Sequence, residues 1–149
     1  DFLAPDRVIP KLEGGTKSEV LGQMSRHLAG CVAGIDAEAL QRALEARELL
    51  ASTAIGDGVA IPHAKVDSVE GLVGVLGRSV EGLAFDSVDG QPTHLVFLLV
   101  APSSSTGIHL KALARLSRLF RNALLCQWLV DAPDGPSMYQ MILEEDAKY

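Results

Sequence analysis

The spacing of apolar residues predicts two helices in the first third of the chain. The run TKSE at 16–19 has the form of a capping box, in which Thr16 and Glu19 cap each other's backbone N–H groups. Asp36 is an N-cap candidate for a second helix, which carries Arg47 near its C-terminal end. The apolar residues at helical spacing are Val20, Leu21, Met24 and Leu28 in the first helix, and Leu40, Leu44 and Leu50 in the second.

Two apolar runs in the middle of the chain predict strands at 72–80 and 95–100, with a turn-rich stretch at 86–92 between them. A loop of Ser, Thr and Gly residues follows at 102–107. Three further helices are predicted at 108–120, 123–130 and 136–145. The order of helices, strands and helices predicts an α/β fold, in which a mixed central sheet is covered by helices on both faces.

Length and composition limit what the chain does. A chain of 149 residues is expected to form one domain over residues 1–149, and an apolar content of 48% with few aromatics predicts an aliphatic core. The net charge of −6, without a basic stripe or stacking platform, argues against nucleic acid as a partner. The longest apolar run, at 95–101, is too short for membrane insertion, and no secretion leader is evident. Cys31 and Cys126 are predicted to be free thiols in a reducing cytoplasm.

The segment 52–65, which reads STAIGDGVAIPHAK, carries the strongest chemical pattern. Pro62 fixes its own φ and favours extended geometry in the residue before it, so the backbone leading to His63 is stiff. Gly56 and Gly58 allow a bulky anion to approach main-chain N–H groups. Because imidazole is nucleophilic at neutral pH and can carry a covalent adduct, His63 is a candidate acceptor of a phosphoryl group. Taken alone, a single histidine is more often an ordinary core or surface residue.

The pattern around His63 extends beyond the proline and the glycines. Residues 47–63 read RELLASTAIGDGVAIPH, and a second segment comprises DGQP at 89–92, the apolar run to Pro102, and HLKALA at 109–114. These segments resemble the active-site pattern of enzyme IIA domains of the bacterial phosphotransferase system, of the fructose, mannitol and nitrogen-regulatory type. Ala54 stands where glycine is usual, so this position is expected not to need a positive φ. The resemblance implies a three-layer α/β/α sandwich and is strongest to the nitrogen-regulatory members.

The resemblance also implies roles for the site residues. His63 would accept the phosphoryl group on Nε2 from the phosphocarrier protein HPr or its nitrogen-branch counterpart, without a cofactor or a metal, while an acceptor holds Nδ1–H. His109, at a helix start where the macrodipole favours a neutral ring, would donate to the transferring group. Arg47 would grip the group with its bidentate donors. Ser52 and Thr53 would bind the phosphate with their hydroxyls or turn the loop.

Neighbouring charged and histidine residues are expected to have lesser roles. Glu48 is predicted to be structural and to pair with Arg47, and Lys65 either adds positive potential or faces solvent. His27 and His94 are expected to be bystanders. The cations that follow the Ser/Thr/Gly loop form either a solvated helix face or a rim for an acidic partner; they are Lys111, Arg115, Arg118 and Arg121.

Alternative functions stay open at the level of sequence. A nitrogen-type protein would act on a regulatory target protein, whereas a fructose- or mannitol-type protein would pass its phosphoryl group to a sugar-specific IIB domain. A zinc hydrolase would need His63, His94 and His109 to converge, but the sequence has no close cluster of metal-ligating residues. A third class is an interaction module in which phosphorylation of His63 only controls docking.

Overall fold

Five α-helices are present in the part of the chain that the computed structural model describes, which comprises residues 3–85, 87, 89–104 and 107–148 without the Ile108 side chain. Residues 86 and 88 of the predicted turn, and 105 and 106 of the predicted loop, lie outside it. The helices predicted from apolar spacing are confirmed. They are α1 (Lys17–Cys31), α2 (Ala37–Leu50), α3 (Gly107–Leu119), α4 (Ala123–Asp131) and α5 (Gly135–Asp146). Among the described residues, no helix combines the length and apolar character needed to cross a membrane.

The first two helices begin at the predicted caps and pack against each other. Thr16 and Glu19 form the complete capping box, and the Asp36 side chain accepts N–H groups in the first turn of α2. The prediction that Leu50 lies on the apolar face of α2 is wrong, because Leu50 is 82% exposed. It lies six positions after Leu44 and therefore on the opposite face of the helix, and Glu48 takes the inward position instead.

The described residues also form six strands in one mixed sheet. The two predicted strands are confirmed and are longer than predicted, since β5 spans Val73–Leu83 and β6 spans Thr93–Pro102. The other four strands are too short for an apolar pattern to reveal them. They are β1 (Val8–Ile9), β2 (Ala54–Gly56), β3 (Val59–Ala60) and β4 (His63–Val66). In the sheet β1 is parallel to β5, β5 is antiparallel to β6, and β2 is antiparallel to β3.

Strands β3 and β4 run parallel to the same edge of β6, one after the other. β3 pairs with residues 95 and 96, and β4 pairs with residues 99–102. Pro62 lies in the gap because it has no N–H for the ladder, although its carbonyl accepts the Leu99 N–H at 2.9 Å. The chain therefore returns to regular pairing at His63, the first residue of β4.

Apolar side chains pack in two clusters, one on each face of the sheet. Along β6, residues 95, 97 and 99 belong to one cluster and residues 96, 98 and 100 to the other, as the two-residue period of a strand requires. Helices α3, α4 and α5 cover the first cluster, while α1 and α2 cover the second. This arrangement confirms the three-layer α/β/α sandwich. Cys31 and Cys126 are free thiols, as predicted, and burial raises the pKa of Cys126 to about 11.

Candidate active site

The chain between α2 and β4 (residues 51–62, here called the hairpin segment) folds as a tight hairpin of β2 and β3. Its turn residues Gly56, Asp57 and Gly58 have φ angles of 90°, 55° and 80°. Glycine adopts this left-handed region without strain, and aspartate is among the few other residues that visit it. Ala54 lies in β2 and has no positive φ, which confirms the expectation for the alanine in the motif.

Asp89, in the DGQP segment, holds the tip of the hairpin. Its Oδ2 accepts the Asp57 N–H at 3.0 Å, and its Oδ1 accepts the Gln91 N–H at 3.0 Å and the Ser87 hydroxyl at 2.6 Å. The bond from Ser87, followed by the backbone bonds, keeps the pKa of Asp89 below its ordinary value. This role was not predicted from the sequence, although aspartate side chains commonly accept the backbone N–H group two residues further on, as Asp89 does from Gln91.

Glu48 ties the start of the hairpin segment to the first two helices and is itself only 9% exposed. Its Oε1 accepts from Lys17 Nζ and from the Thr53 N–H, each at 3.1 Å, and its Oε2 accepts the Thr53 hydroxyl. Glu48 is therefore structural, but its predicted pairing with Arg47 is wrong. Consecutive helical residues point about 100° apart, and Arg47 instead donates to the Ala51 carbonyl at 3.0 Å.

His63 is partly buried and has one ring nitrogen anchored. Nδ1 lies 3.0 Å from the Ile61 carbonyl oxygen, and because a carbonyl only accepts, Nδ1 carries the hydrogen and Nε2 keeps a free lone pair. Burial lowers the pKa of His63 most. The bond to Ile61 opposes this effect, the nearby Arg47 and His109 lower the pKa further, and the charge of Glu48 raises it. The ring is therefore neutral at neutral pH, which is the nucleophilic form.

His109 lies in the first turn of α3 and faces His63. The two ring centroids are 6.2 Å apart, and the ring planes are tilted by 39°. Nδ1 of His109 is buried and has no hydrogen-bond partner among the described residues. Buried polar atoms are usually bonded, so this ring has hydrogen-bonding capacity that the resting protein does not use.

An open cavity of about 380 Å³ brings together three of the predicted site residues. Arg47, His63 and His109 line it, with Lys65 at its side. Lys111, two positions after His109, is exposed. Further along α3, Arg115 makes a bidentate pair with Asp146 of α5 at 2.8 and 2.5 Å, so its guanidinium is already used within the chain. The cavity therefore combines a nucleophilic ring nitrogen with cationic and imidazole donors.

Ser52 and Thr53 do not line this cavity. The Ser52 hydroxyl donates to the Phe85 carbonyl at 2.6 Å and accepts the Ala54 N–H at 3.1 Å. The Thr53 hydroxyl is bonded to Glu48. In the resting protein both hydroxyls hold the hairpin segment in place.

His27 and His94 also lie away from the cavity. Nε2 of His27 is 2.7 Å from the Asp6 carbonyl oxygen, and Nδ1 of His94 is 2.9 Å from the Ser79 carbonyl oxygen. Within the described ranges, no three His, Cys, Asp or Glu side chains group closely enough to hold a metal ion. The zinc-hydrolase alternative therefore finds no ligand set there.

The sequence matches a family of known proteins. Residues 1–145 match the family described as the phosphoenolpyruvate-dependent sugar phosphotransferase system, EIIA 2. A nitrogen regulatory protein from Bradyrhizobium diazoefficiens is 37% identical over 142 residues, which cover 95% of this chain and 92% of that protein. The fructose-specific EIIABC component of Bacillus subtilis is 36% identical over 146 residues, which cover 98% of this chain and 23% of that protein.

The fold agrees with these matches. The crystal structure of the nitrogen regulatory protein IIA-Ntr from Neisseria meningitidis superposes with a TM-score of 0.88, over 95% of this chain and 96% of that chain, at 28% sequence identity. Sequence, fold and the arrangement around His63 lead to the same assignment: the chain belongs to the EIIA type-2 family of the phosphotransferase system.

Proposed function

We propose that the chain is a phosphoryl carrier, which accepts a phosphoryl group on Nε2 of His63 from a phosphorylated HPr-like carrier or its nitrogen-branch counterpart. The observation that supports this most directly is the bond from His63 Nδ1–H to the Ile61 carbonyl, because it leaves the lone pair on Nε2. The Nε2 lone pair attacks phosphorus, and the bond between phosphorus and the carrier's histidine nitrogen breaks. The electron pair of that bond returns to the carrier's ring.

Arg47 and His109 stabilise the group during transfer in this proposal. In phosphoryl transfer, charge spreads over the equatorial oxygens, so catalysis is mostly alignment and stabilisation of that charge. Arg47 uses one of its several N–H donors on the Ala51 carbonyl, and the others can reach a phosphoryl oxygen. Binding of the phosphoryl group by the Ser52 and Thr53 hydroxyls stays a prediction. Such contact would break the hydrogen bonds by which these hydroxyls hold the hairpin segment.

The surface around the cavity suits a protein partner. Leu49, Leu50 and Leu110 are 88%, 82% and 61% exposed, at the end of α2 and the start of α3, where Arg47 and His109 lie. Exposed apolar residues supply contact area, while cations attract a phosphorylated carrier and raise the rate of encounter. In this proposal the carrier docks over the exposed leucines and the cations around the cavity, in a salt-sensitive encounter.

Labelling by a phosphorylated carrier tests the proposal. The wild-type chain should gain one phosphoryl group, labile in acid and stable in base, and His63→Ala should gain none. His27→Ala is the matched control and should be labelled like the wild type, because His27 is bonded to the Asp6 carbonyl away from the cavity. Label that persists on His63→Ala would overturn the assignment of the acceptor.

The regulatory branch is the destination that we propose for the phosphoryl group. It is supported by the 37% identity with a nitrogen regulatory protein and by the DGQP and HLKALA segments. The fructose-type alternative is supported by the 36% identity with the Bacillus subtilis component. Mixing the phosphorylated chain with a fructose-type IIB domain separates them: movement of the label to the IIB domain favours sugar transport. Retention of the label favours a protein in which phosphorylated His63 controls docking to a target protein.

A further inference from the structure

We propose that Glu48 is a positioning residue for His63, which sets the orientation of the acceptor ring through the hairpin segment. The inference rests on the proposed function of His63, because it concerns the same phosphoryl transfer. It assigns to Glu48 an effect on the reaction, without any contact between Glu48 and the phosphoryl group.

Both oxygens of the Glu48 carboxylate are used in a buried setting. One oxygen accepts from Lys17 Nζ and from the Thr53 N–H, and the other accepts the Thr53 hydroxyl. The side chains of Lys17 and Glu48 are 19% and 4% exposed, and Lys17 Nζ also lies 4.8 Å from the centroid of the Phe85 ring. A charge-assisted network that is buried and fully bonded is rigid. Thr53 is therefore held in one position relative to the start of α1 and the C-terminal end of α2.

Two further hydrogen bonds connect Thr53 to the acceptor ring. After the bonds from Thr53 to Glu48, the Thr53 carbonyl accepts the Ile61 N–H at 3.0 Å. The Ile61 carbonyl then accepts Nδ1–H of His63, also at 3.0 Å. Pro62 stiffens the link between Ile61 and His63. A displacement of Thr53 therefore moves the peptide that anchors the ring.

Arg47 and Glu48 are neighbours in α2 but face different parts of the molecule. Arg47 lines the cavity, while Glu48 points inward to the hairpin segment. Glu48 is absent from the cavity lining, so it influences His63 without touching the phosphoryl group: through the hairpin segment, and through its charge, which raises the pKa of His63. Substitution of a residue with this role should change the tautomer of His63 as well as the rate of transfer.

Variants of Glu48 test the proposal, with Glu45 as the matched control. Glu45 lies on the same helix and accepts the Ser18 hydroxyl of α1 at 2.5 Å, but among the described residues it makes no bond to the hairpin segment. Glu48→Ala should slow phosphorylation by about 10- to 100-fold, as misplacement of a reacting group does. Glu48→Gln, which keeps one oxygen acceptor, should be intermediate. Nitrogen-15 NMR of the unphosphorylated chain should show less Nδ1–H form of His63 in both variants, and no change in Glu45→Gln.

The outcomes are distinct. Wild-type rate and tautomer in a folded Glu48→Ala variant would overturn the proposal, as would equal changes in Glu45→Gln. If Glu48→Ala does not fold, Glu48→Gln decides by the same two measurements. If the wild-type chain accepts no phosphoryl group, the proposed function fails. The tautomer of His63 then still shows whether Glu48 positions the ring.

Discussion

His63 and His109 face each other across one cavity, but the protein holds them differently. Nδ1 of His63 is bonded to the Ile61 carbonyl, and Ile61 is bonded back to Thr53. Nδ1 of His109 has no hydrogen-bond partner in the described part of the chain. A covalent acceptor must present one nitrogen before transfer begins, whereas a donor to developing charge gains its bond when the group arrives. The contrast supports the proposed roles, in which His63 is the preorganised acceptor and His109 a donor.

The largest expected effect in this comparison is on the rate of transfer. His109→Ala and Arg47→Ala should each slow phosphorylation of His63 by about 10²- to 10³-fold, the cost typical of losing one preorganised donor. Both variants should still end with one phosphoryl group on His63. Rapid-quench measurements with a phosphorylated carrier give the rates, with His27→Ala as the control. Wild-type rates in both variants would show that neither residue belongs to the site.

The backbone near the two histidines differs as well, and glycine substitutions measure the difference. Gly58 has a φ of 80° with space around its Cα, so Gly58→Ala is strained by its backbone alone. It should lower the free energy of unfolding by about 1–2 kcal/mol. Gly107, at the start of α3, has open space and no positive φ, so Gly107→Ala should leave stability unchanged or raise it by up to about 1 kcal/mol. Urea unfolding measures both values, and equal losses would remove the contrast.

The smallest expected effect is a shift in the pKa of His63 on folding. Because burial lowers its pKa in the folded protein, its NMR titration should have a midpoint below about 6.5, the ordinary value of histidine. In urea the midpoint should return to that value. Between the two midpoints the unfolded chain binds more protons, so the stability contributed by neutral His63 is complete above pH of about 6.5 and is lost as the pH falls. A folded midpoint at or above the urea value would contradict this account.

The elements with strong local patterns could be predicted from the sequence. The TKSE box and Asp36 locate the starts of α1 and α2, and the long apolar runs locate β5 and β6. Strands β1 to β4 could not be predicted, because each has at most four residues, and β1, β3 and β4 pair with residues distant in the chain. Three of these four missed strands, β2, β3 and β4, carry the hairpin segment and His63.

The candidate site, like the fold, has parts that could be predicted from local sequence patterns and parts that could not. The pattern around Pro62 and His63 predicts His63 as the candidate acceptor, and the family resemblance adds Arg47 and His109; the fold brings all three residues into one cavity. The anchor of the ring could not be predicted, because it is a backbone carbonyl whose direction depends on the folded hairpin. The pairing of Glu48 with Lys17 was also missed, because the two residues are 31 positions apart and meet only when α1 packs on α2.

Nitrogen-15 NMR of the histidine rings, before and after phosphorylation, tests the central claim most directly. We expect the hydrogen of unphosphorylated His63 on Nδ1, where it is bonded to Ile61. After reaction with a phosphorylated carrier, phosphorus–nitrogen coupling should be seen at Nε2 of His63, with Nδ1 still protonated and no coupling at His109. A phosphoryl group on Nδ1 of His63, or on His109, would contradict the account.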